Sequence, residues 1–337
     1  MTAGSVRIQL VLLVGCFLLA AGFVDLVRRH ALRRRQLDMP NERSSHTVPT
    51  PRGGGLGVVV VIAAAWVWVL IAWQIPLPIE LGLCIIAMVA VAIVGWLDDR
   101  RGMGVASRLA VHVLAGLAVA ALSARLGWPW WIGIAWVVGA VSSINVVNFM
   151  DGIDGLIASQ TMIAALSIAS LAPADGLARP FALAVTGAAG GFLVWNWPPA
   201  RIFLGDVGSG SLGFALVVLG ALLIAERGAD VVRAFLPLFP LFLDAAWTMG
   251  RRALRGERIT TAHRSHLYQR LANGGWGHQR VTMLYGAAAV VGAVVAAIPA
   301  LDRRWVLVVA YGLLVLIVGK RLDRVAAPMP AITLRLS

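Results

Sequence analysis

Five carboxylates in three short segments are the residues of this sequence best suited to chemistry. Asp98 and Asp99 follow one apolar stretch, Asp151 and Asp154 follow another, and Asp206 precedes a third. Because each segment lies where an apolar stretch begins or ends, the carboxylates can meet at one membrane depth without a charge entering hydrocarbon. Mg²⁺ takes oxygen ligands and keeps substrate phosphates in its shell, so one or two such carboxylates suffice for it. The pattern predicts a metal-assisted site that handles a diphosphate.

A row of polar residues leads out of the second apolar stretch. Asn145, Asn148, Asp151 and Asp154 recur every three residues, a spacing that keeps successive side chains near one face of a helix. Two glycines within the row allow a ligand or another backbone to approach. A polar row is poor packing material inside a membrane, so the pattern favours substrate binding over packing.

Glycines accompany two further segments. Three of them surround Asp206 just before an apolar helix predicted to start near Ser211, and a glycine-rich turn at a helix N-terminus binds anions. Arg52 precedes Gly53–Gly55, which suggests backbone close to a phosphate-bearing ligand. The Arg52 segment is equally typical of an ordinary turn into a helix. A turn like that around Asp206 can also merely start a helix, although function is favoured there, and Asp98–Arg101 also fits an interfacial charge run.

A segment rich in histidine and arginine, His263-Arg264-Ser265-His266, supplies the opposite charge. Arginine offers forked donors to phosphate oxygens, and histidine donates to them or carries a proton near neutral pH. Membrane orientation and anionic lipid headgroups account for many of the neighbouring arginines. Histidine contributes little to orientation, so this segment is predicted to serve the site.

The elements that position these residues are membrane helices. Of 337 residues, 59% are hydrophobic and 13% are charged, and the mean hydropathy is +0.83, which leaves too little polar surface for a soluble globule. We expect an all-α polytopic membrane protein with one integral membrane domain over residues 1–337, whose loops 28–54 and 250–280 contribute to the active site. Hydropathy predicts about eleven spans, near residues 8–27, 55–73, 79–97, 106–123, 129–147, 156–172, 181–197, 210–225, 232–249, 281–299 and 304–320.

The net charge of +13 reflects topology. On a soluble protein such a charge suggests nucleic acid, but here the basic residues cluster in short loops between spans. Most of the 29 basic residues fall on one side if the first span runs inward. The charge asymmetry therefore predicts a periplasmic N-terminus, a cytoplasmic C-terminus and no nucleic-acid partner.

Five ordered segments resemble the polyprenyl-phosphate N-acetylhexosamine-1-phosphate transferases of glycosyltransferase family 4. The resemblance implies an enzyme of the bacterial cytoplasmic membrane that uses Mg²⁺, undecaprenyl phosphate and a UDP-N-acetylhexosamine, and it leaves a homodimer open. The matching segments, within about residues 40 to 280, are Pro51-Arg52-Gly53-Gly54-Gly55, Leu97-Asp98-Asp99, Asn145 to Leu156, Phe203 to Ser209 and the segment of His263 and His266.

The same resemblance assigns roles to residues of this chain. Asp206 corresponds to the principal Mg²⁺ ligand, with Asp99 beside it. Asp98 and Asp99 correspond to an acidic pair that positions the metal or accepts the proton of the lipid phosphate, and His263 and His266 fall in the final catalytic loop. The residues predicted to bind substrate are Arg52, Asn145, Asn148, Asp151, Asp154 and Arg264.

The spacing of the two histidines bears on the donor sugar. The peptidoglycan enzyme, phospho-N-acetylmuramoyl-pentapeptide transferase, has consecutive histidines, whereas His263 and His266 flank an arginine and a serine. This arrangement looks more like the branch that initiates O-antigen or related cell-envelope polysaccharides. Within that branch the chain looks most like transferases of UDP-N-acetyl-fucosamine or UDP-N-acetyl-quinovosamine, followed by UDP-N-acetylglucosamine.

Two other classes are weighed against this interpretation. A secondary transporter carries its acids near the bilayer midplane, and only Asp244 fits that pattern. A CDP-alcohol-type lipid phosphotransferase concentrates its acids in one segment, whereas this chain spreads them over three.

Overall fold

The computed structural model describes residues 3–40, 48–74, 78–228, 231–257, 263–298 and 301–326. Within these ranges, ten helical segments are long and apolar enough to cross a membrane, and an eleventh, shorter apolar helix lies at Leu156–Leu171. The predicted all-α polytopic class is confirmed. The helices are α1 (Ala3–Arg33), α2 (Gly55–Ala72), α3 (Ile79–Arg101), α4 (Val105–Arg125), α5 (Trp130–Met150), α6 (Leu156–Leu171), α7 (Ala178–Asn196), α8 (Asp206–Arg227), α9 (Val231–Phe235), α10 (Phe239–Leu254), α11 (Leu267–Leu271), α12 (Gly277–Ala297) and α13 (Leu301–Val325).

Helix α8 is the centre of the bundle. It is buried along almost its whole length and packs against α2, α3, α5, α6 and α7. Its first half is rich in glycine and serine, which let neighbouring backbones come close where lipid supplies no hydrophobic driving force between helices. At Gly213 an added Cβ would lie 2.7 Å from the carbonyl oxygen of Ser143, and Ser143 Oγ donates a 2.8 Å hydrogen bond to Gly213 O.

Three glycines form a junction between α2, α3 and α8, which we call the glycine junction: Gly55, Gly95 and Gly208. A Cβ at Gly55 would lie 2.3 Å from Gly208 Cα, and a Cβ at Gly95 would lie 2.4 Å from the carbonyl carbon of Asp206. Real Cβ atoms do not approach other atoms this closely, so only glycine fits. The three helices therefore meet backbone to backbone at one end of the bundle, called the site end below.

Several helix bounds differ from the hydropathy prediction. Helix α1 continues to Arg33 rather than ending near residue 27, because Arg28 and Arg29 pair with Asp25 at 2.8 and 2.6 Å and their charges point out of the apolar surface. The prediction that Asp206 precedes its helix is wrong. Helix α8 begins at Asp206 itself, where a carboxylate is favoured by the helix dipole.

The region predicted as the loop 250–280 contains helix as well. Helix α10 extends to Leu254, α11 covers one turn, and α12 begins at Gly277 after a kink at Gly275, whose φ is +97°. Residues 258–262 of this region lie outside the described residues. Helix α13 closes against this region through Asp323, which pairs with Arg251 of α10 at 2.7 Å and with Arg270 of α11.

The predicted loop 28–54 carries a small β ladder. Strand β1 (Leu37–Asp38) pairs antiparallel with β2 (Thr50–Pro51), and Arg52 then forms a parallel bridge to Phe203, just before α8. The ladder brings the start of α2 to the start of α8 at the site end.

Candidate active site

An acidic centre formed by Asp99, Asp206 and Arg52 lies at the site end. Arg52 Nη2 is 2.7 Å from Asp99 Oδ1 and 2.9 Å from Asp206 Oδ1, so both carboxylates face one point. The backbone N–H of Asp206 donates to Asp99 Oδ2 at 2.9 Å. Asp99 is thus the anion at the N-terminus of α8, a position that the helix dipole favours. The predicted meeting of α3 and α8 carboxylates is present in the structure.

Asn148 joins this centre from α5. Its Nδ2 donates to Asp206 Oδ2 at 3.3 Å, and its Oδ1 accepts a 3.0 Å hydrogen bond from Ser209 Oγ. The amide therefore orients the carboxylate of Asp206 from the side opposite Arg52. Sequence reasoning placed Asn148 on the substrate, whereas the structure shows it in direct contact with the predicted metal ligand.

A cleft of about 500 Å³ opens beside Asp206 between α3, α4, α5 and α10. Six of the predicted site residues line it, and so do two residues of α4 that the sequence reasoning missed, Arg108 and His112. Arg52, Asp99, Asp151, Asp154 and Arg264 do not line this cleft. The six are Asp98, Asn145, Asn148, Asp206, His263 and His266.

The two residues of α4 are partners of predicted site residues. Arg108 forms a short ion pair with Asp98, whose Oδ1 also accepts the N–H of Met103. His112 Nδ1 lies 3.3 Å from Asn145 Nδ2. Since an amide nitrogen only donates, His112 Nδ1 accepts, and its proton resides on Nε2. Asp98 and Asp99 therefore have different partners, since Asp98 faces α4 and Asp99 faces α8.

The histidine segment forms the wall of the cleft nearest α10. The rings of His263 and His266 lie 4.9 Å apart between centroids, and Ser265 Oγ is 2.9 Å from His263 Nδ1. Arg264, which lies between them in the sequence, is half-buried. His263 and His266 line the same cleft as Asp206, so imidazole nitrogens and a carboxylate border one space, as binding of a metal-bound diphosphate requires.

The polar row was predicted to lie near one face of a helix, and the structure shows that only part of it does. Helix α5 ends at Met150, and Gly155 adopts a left-handed conformation with φ +76°. The row therefore splits after Met150: Asn145 and Asn148 stay on α5 and both line the cleft, in contact with α4 and α8, whereas Asp151 and Asp154 lie beyond the end of the helix. Asp154 is turned away, since its Oδ2 accepts the N–H of Ala200 at 3.0 Å and lies 3.2 Å from His278 Nδ1.

Asp151 is half-buried at the end of α5. Burial raises its pKa to about 8, Arg52 opposes that increase, and the nearby negative charges of Asp206 and Asp99 add to it. For Arg52, burial lowers the pKa, but Asp99 and Asp206 outweigh it and leave the pKa raised. Asp151 therefore belongs to the electrostatic surroundings of the acidic centre although it does not line the cleft.

The glycine amides near Arg52 have partners within the protein. Gly53 and Gly54 donate to Phe203 O at 3.1 and 2.9 Å, and Gly55 donates to Leu204 O at 2.9 Å. Of the two interpretations left open by the sequence, the structure supports a turn into α2 rather than a backbone phosphate site.

The acidic centre fits Mg²⁺ with two protein carboxylates. Among the described residues there is no cluster of three or more acidic, histidine or cysteine side chains of the kind that holds a metal alone. Mg²⁺ commonly takes one or two carboxylates and completes its shell with phosphates and water. Asp99 Oδ1 is buried and already lies against a cation, the guanidinium of Arg52 at 2.7 Å, which shows that this point favours positive charge.

We expect Asp154 to stabilise the fold rather than to bind substrate, and replacing it by asparagine tests this. Asp154→Asn removes the charge that holds His278 and weakens the link to Ala200, which should cost about 1–3 kcal/mol and lower the melting temperature of the purified protein. His278→Gln should lower it as well, and the double variant should lose less than the sum of the two. An unchanged melting temperature with a raised KM for the UDP-sugar would instead support nucleotide binding by Asp154.

Residues 81–224 match glycosyl transferase family 4. A phospho-N-acetylmuramoyl-pentapeptide-transferase of Moorella thermoacetica is 33% identical over 59% of this chain and 70% of its own length. The chain belongs to this family. This chain is also 30% identical to a decaprenyl-phosphate N-acetylglucosaminephosphotransferase of Mycolicibacterium smegmatis, over 77% of the chain and 74% of the relative. It is 26% identical to a probable undecaprenyl-phosphate N-acetylglucosaminyl 1-phosphate transferase of Bacillus subtilis, over 75% and 74%.

Membership of family 4 sets aside the transporter and the CDP-alcohol alternatives. Asp244, the one acid with a transporter-like position, is enclosed in protein and hydrogen bonded. The family-4 segment runs from the first turn of α3 to the last turn of α8 and includes Asp98, Asp99, Asn148 and Asp206. Arg52 and the histidine segment lie outside it, one on each side.

Proposed function

We propose that this enzyme transfers an N-acetylhexosamine-1-phosphate from a UDP-sugar to undecaprenyl phosphate and releases UMP. The reaction takes place at the cytoplasmic face of the bacterial inner membrane and uses Mg²⁺. It provides the lipid-linked sugar on which O-antigen or a related cell-envelope polysaccharide is built. The observation that carries the proposal is that Asp206 of the acidic centre and both histidines line one cleft at one end of the helix bundle.

The chain contributes position and charge to this reaction. When bound, Mg²⁺ offsets the negative charge of the UDP-sugar pyrophosphate. Asp99 and Asp206 would hold it, and Asn148 fixes the carboxylate of Asp206. Arg52, paired with both carboxylates, would contribute positive charge beside the phosphates.

The acceptor is an oxygen of the lipid phosphate, which attacks the sugar-proximal phosphorus while UMP leaves. That phosphate is already mostly ionised at neutral pH, so alignment matters more than a dedicated base. Asp98 and its partner Arg108 line the cleft beside Asp206, where Arg108 offers donors to the incoming phosphate and Asp98 is placed to accept its remaining proton. The cationic groups His263, His266 and Arg264 stabilise the charge on the leaving side.

The donor sugar is proposed from the histidine segment. His263 and His266 are separated by an arginine and a serine instead of being consecutive, and their rings lie 4.9 Å apart at an angle of 36°. This supports an N-acetyl-fucosamine, N-acetyl-quinovosamine or N-acetylglucosamine donor over the muramoyl-pentapeptide donor. The relatives named above include enzymes of both kinds, so the choice rests on this segment.

A panel of donors tests the proposal. Purified protein, undecaprenyl phosphate and Mg²⁺ are incubated with UDP-N-acetylglucosamine, UDP-N-acetyl-fucosamine, UDP-N-acetyl-quinovosamine or UDP-N-acetylmuramoyl-pentapeptide, and UMP is measured. We expect release with one of the first three and none without Mg²⁺. Release with the muramoyl-pentapeptide donor alone would overturn the sugar assignment, and no release with any donor would overturn the proposed function.

A further inference from the structure

Asp244 is a buried carboxylate in α10 to which sequence reasoning assigned no role in the site. Its Oδ1 accepts the N–H of Leu267 at 2.8 Å, and its Oδ2 accepts the N–H of Tyr268 at 3.1 Å. Tyr285 of α12 donates its hydroxyl to Oδ2 at 2.7 Å, and Thr248 donates to Oδ1 at 3.1 Å. One side chain thus fastens three helices, α10, α11 and α12, to one another.

The contacts of Asp244 end next to the histidine segment. Leu267 and Tyr268 directly follow His266, and Tyr268 Oη donates to Phe149 O at 3.1 Å, one residue from Asn148. The position of His266 relative to the acidic centre therefore depends on the carboxylate that holds the next two backbone amides.

His266 itself faces the same carboxylate. Its Nδ1 is 3.8 Å from Asp244 Oδ1, and the side chains are 2% and 3% exposed. Nδ1 is buried and has no hydrogen-bond partner, so a movement of about 1 Å brings it into hydrogen-bond range of Oδ1. The ring also lines the cleft, and its Nε2 is on the edge opposite Nδ1.

We propose that Asp244 is the positioning residue of the histidine segment and holds the proton of His266 on Nδ1, which leaves Nε2 for the substrate. An ionised carboxylate accepts and never donates, so a proton on Nδ1 is favoured beside Asp244, whereas a lone pair there would face its negative charge. A buried acid that fixes one imidazole tautomer is an established device of enzymes. The inference rests on the proposed function: with the Nδ1 proton held by Asp244, a proton taken up at Nε2 gives the cationic ring that donates to a pyrophosphate oxygen.

Histidine tautomers measured by NMR test this directly and need no turnover. The full-length protein is labelled with [¹⁵N]histidine, and His266 is assigned by the signal missing from His266→Asn. We expect a protonated Nδ1 in the wild type and in Tyr285→Phe, which loses one hydrogen bond but keeps the carboxylate. We expect the preference to disappear in Asp244→Asn. A wild-type proton on Nε2 alone, or an unchanged preference in Asp244→Asn, would overturn the proposal.

A kinetic cycle separates positioning from general stability. Asp244→Asn is expected to lower kcat at least about 30-fold and to change the KM of the UDP-sugar less than about threefold. In the His266→Asn background the same change should cost no more than about a further threefold, because the two residues act as a unit. The proposal would be contradicted if the losses in kcat of the two single variants multiplied in the double variant, or if Tyr285→Phe lost as much kcat as Asp244→Asn. If the wild type released no UMP from any donor, the proposed function would fail while the NMR result would still decide the role of Asp244.

Discussion

Asp206→Asn is expected to reduce UMP release at least about 1,000-fold, because a ligand of the metal and its negative charge are lost together. Asparagine has the shape of aspartate and can still accept a hydrogen bond through Oδ1, so the start of α8 should remain intact. The measurement is kcat at saturating substrates over a range of Mg²⁺ concentrations, together with the melting temperature. Higher Mg²⁺ should not restore the rate.

Asp175→Asn is the matched control for this variant. Asp175 is an exposed carboxylate between α6 and α7, far along the bundle from the acidic centre. The same change of charge there should leave kcat unchanged. Activity above a tenth of the wild type in a folded Asp206→Asn protein would contradict the assignment of Asp206 to the metal.

Gly95→Ala is expected to inactivate the enzyme without touching any polar group. The new methyl group would lie 2.4 Å from the carbonyl carbon and oxygen of Asp206 and 2.7 Å from the N–H nitrogen of Val207. Backbone cannot rotate away as a side chain can, so α3 and α8 must separate. A displacement of about 1 Å at a reacting centre can cost a factor of about 100 in rate, and overpacking should cost about 1–3 kcal/mol of stability. Both UMP release and the melting temperature report these effects.

Gly139→Ala is the matched control within a membrane helix. Gly139 lies in α5, and an added Cβ there has no atom within 4 Å. Alanine is the better helix former, so this variant should be unchanged or slightly more stable. Equal behaviour of the two alanine variants would show that the glycine junction does not position Asp206.

The sequence was sufficient to predict the helices and the meeting of the carboxylates, since both follow from hydropathy and from the cost of charge in lipid. Each of the eleven predicted spans overlaps a helix of the structure. Asp99 and Asp206 come together because both lie at helix ends on one side of the bundle. Length and polarity suffice for inferences of this kind.

The partners of individual side chains could not be predicted from the sequence, because they depend on where a helix ends and how it is rotated. The split of the polar row follows from α5 ending at Met150, a bound that periodicity does not give. Arg108 was given no role at the site, although it pairs with Asp98. Asp244 resembled an isolated intramembrane acid, since its donors are backbone amides and a tyrosine that lies 41 positions away.

The glycine junction also bears on how this enzyme can diverge. Because contacts between main chains set the spacing of Asp99 and Asp206, that spacing is insulated from the residues on the lipid-facing surfaces of α2 and α3. Those surfaces are free to drift as bilayers change in thickness or composition. The opposite wall is fastened through individual side chains such as Asp244, so selection for a new donor sugar can act there without rebuilding the bundle.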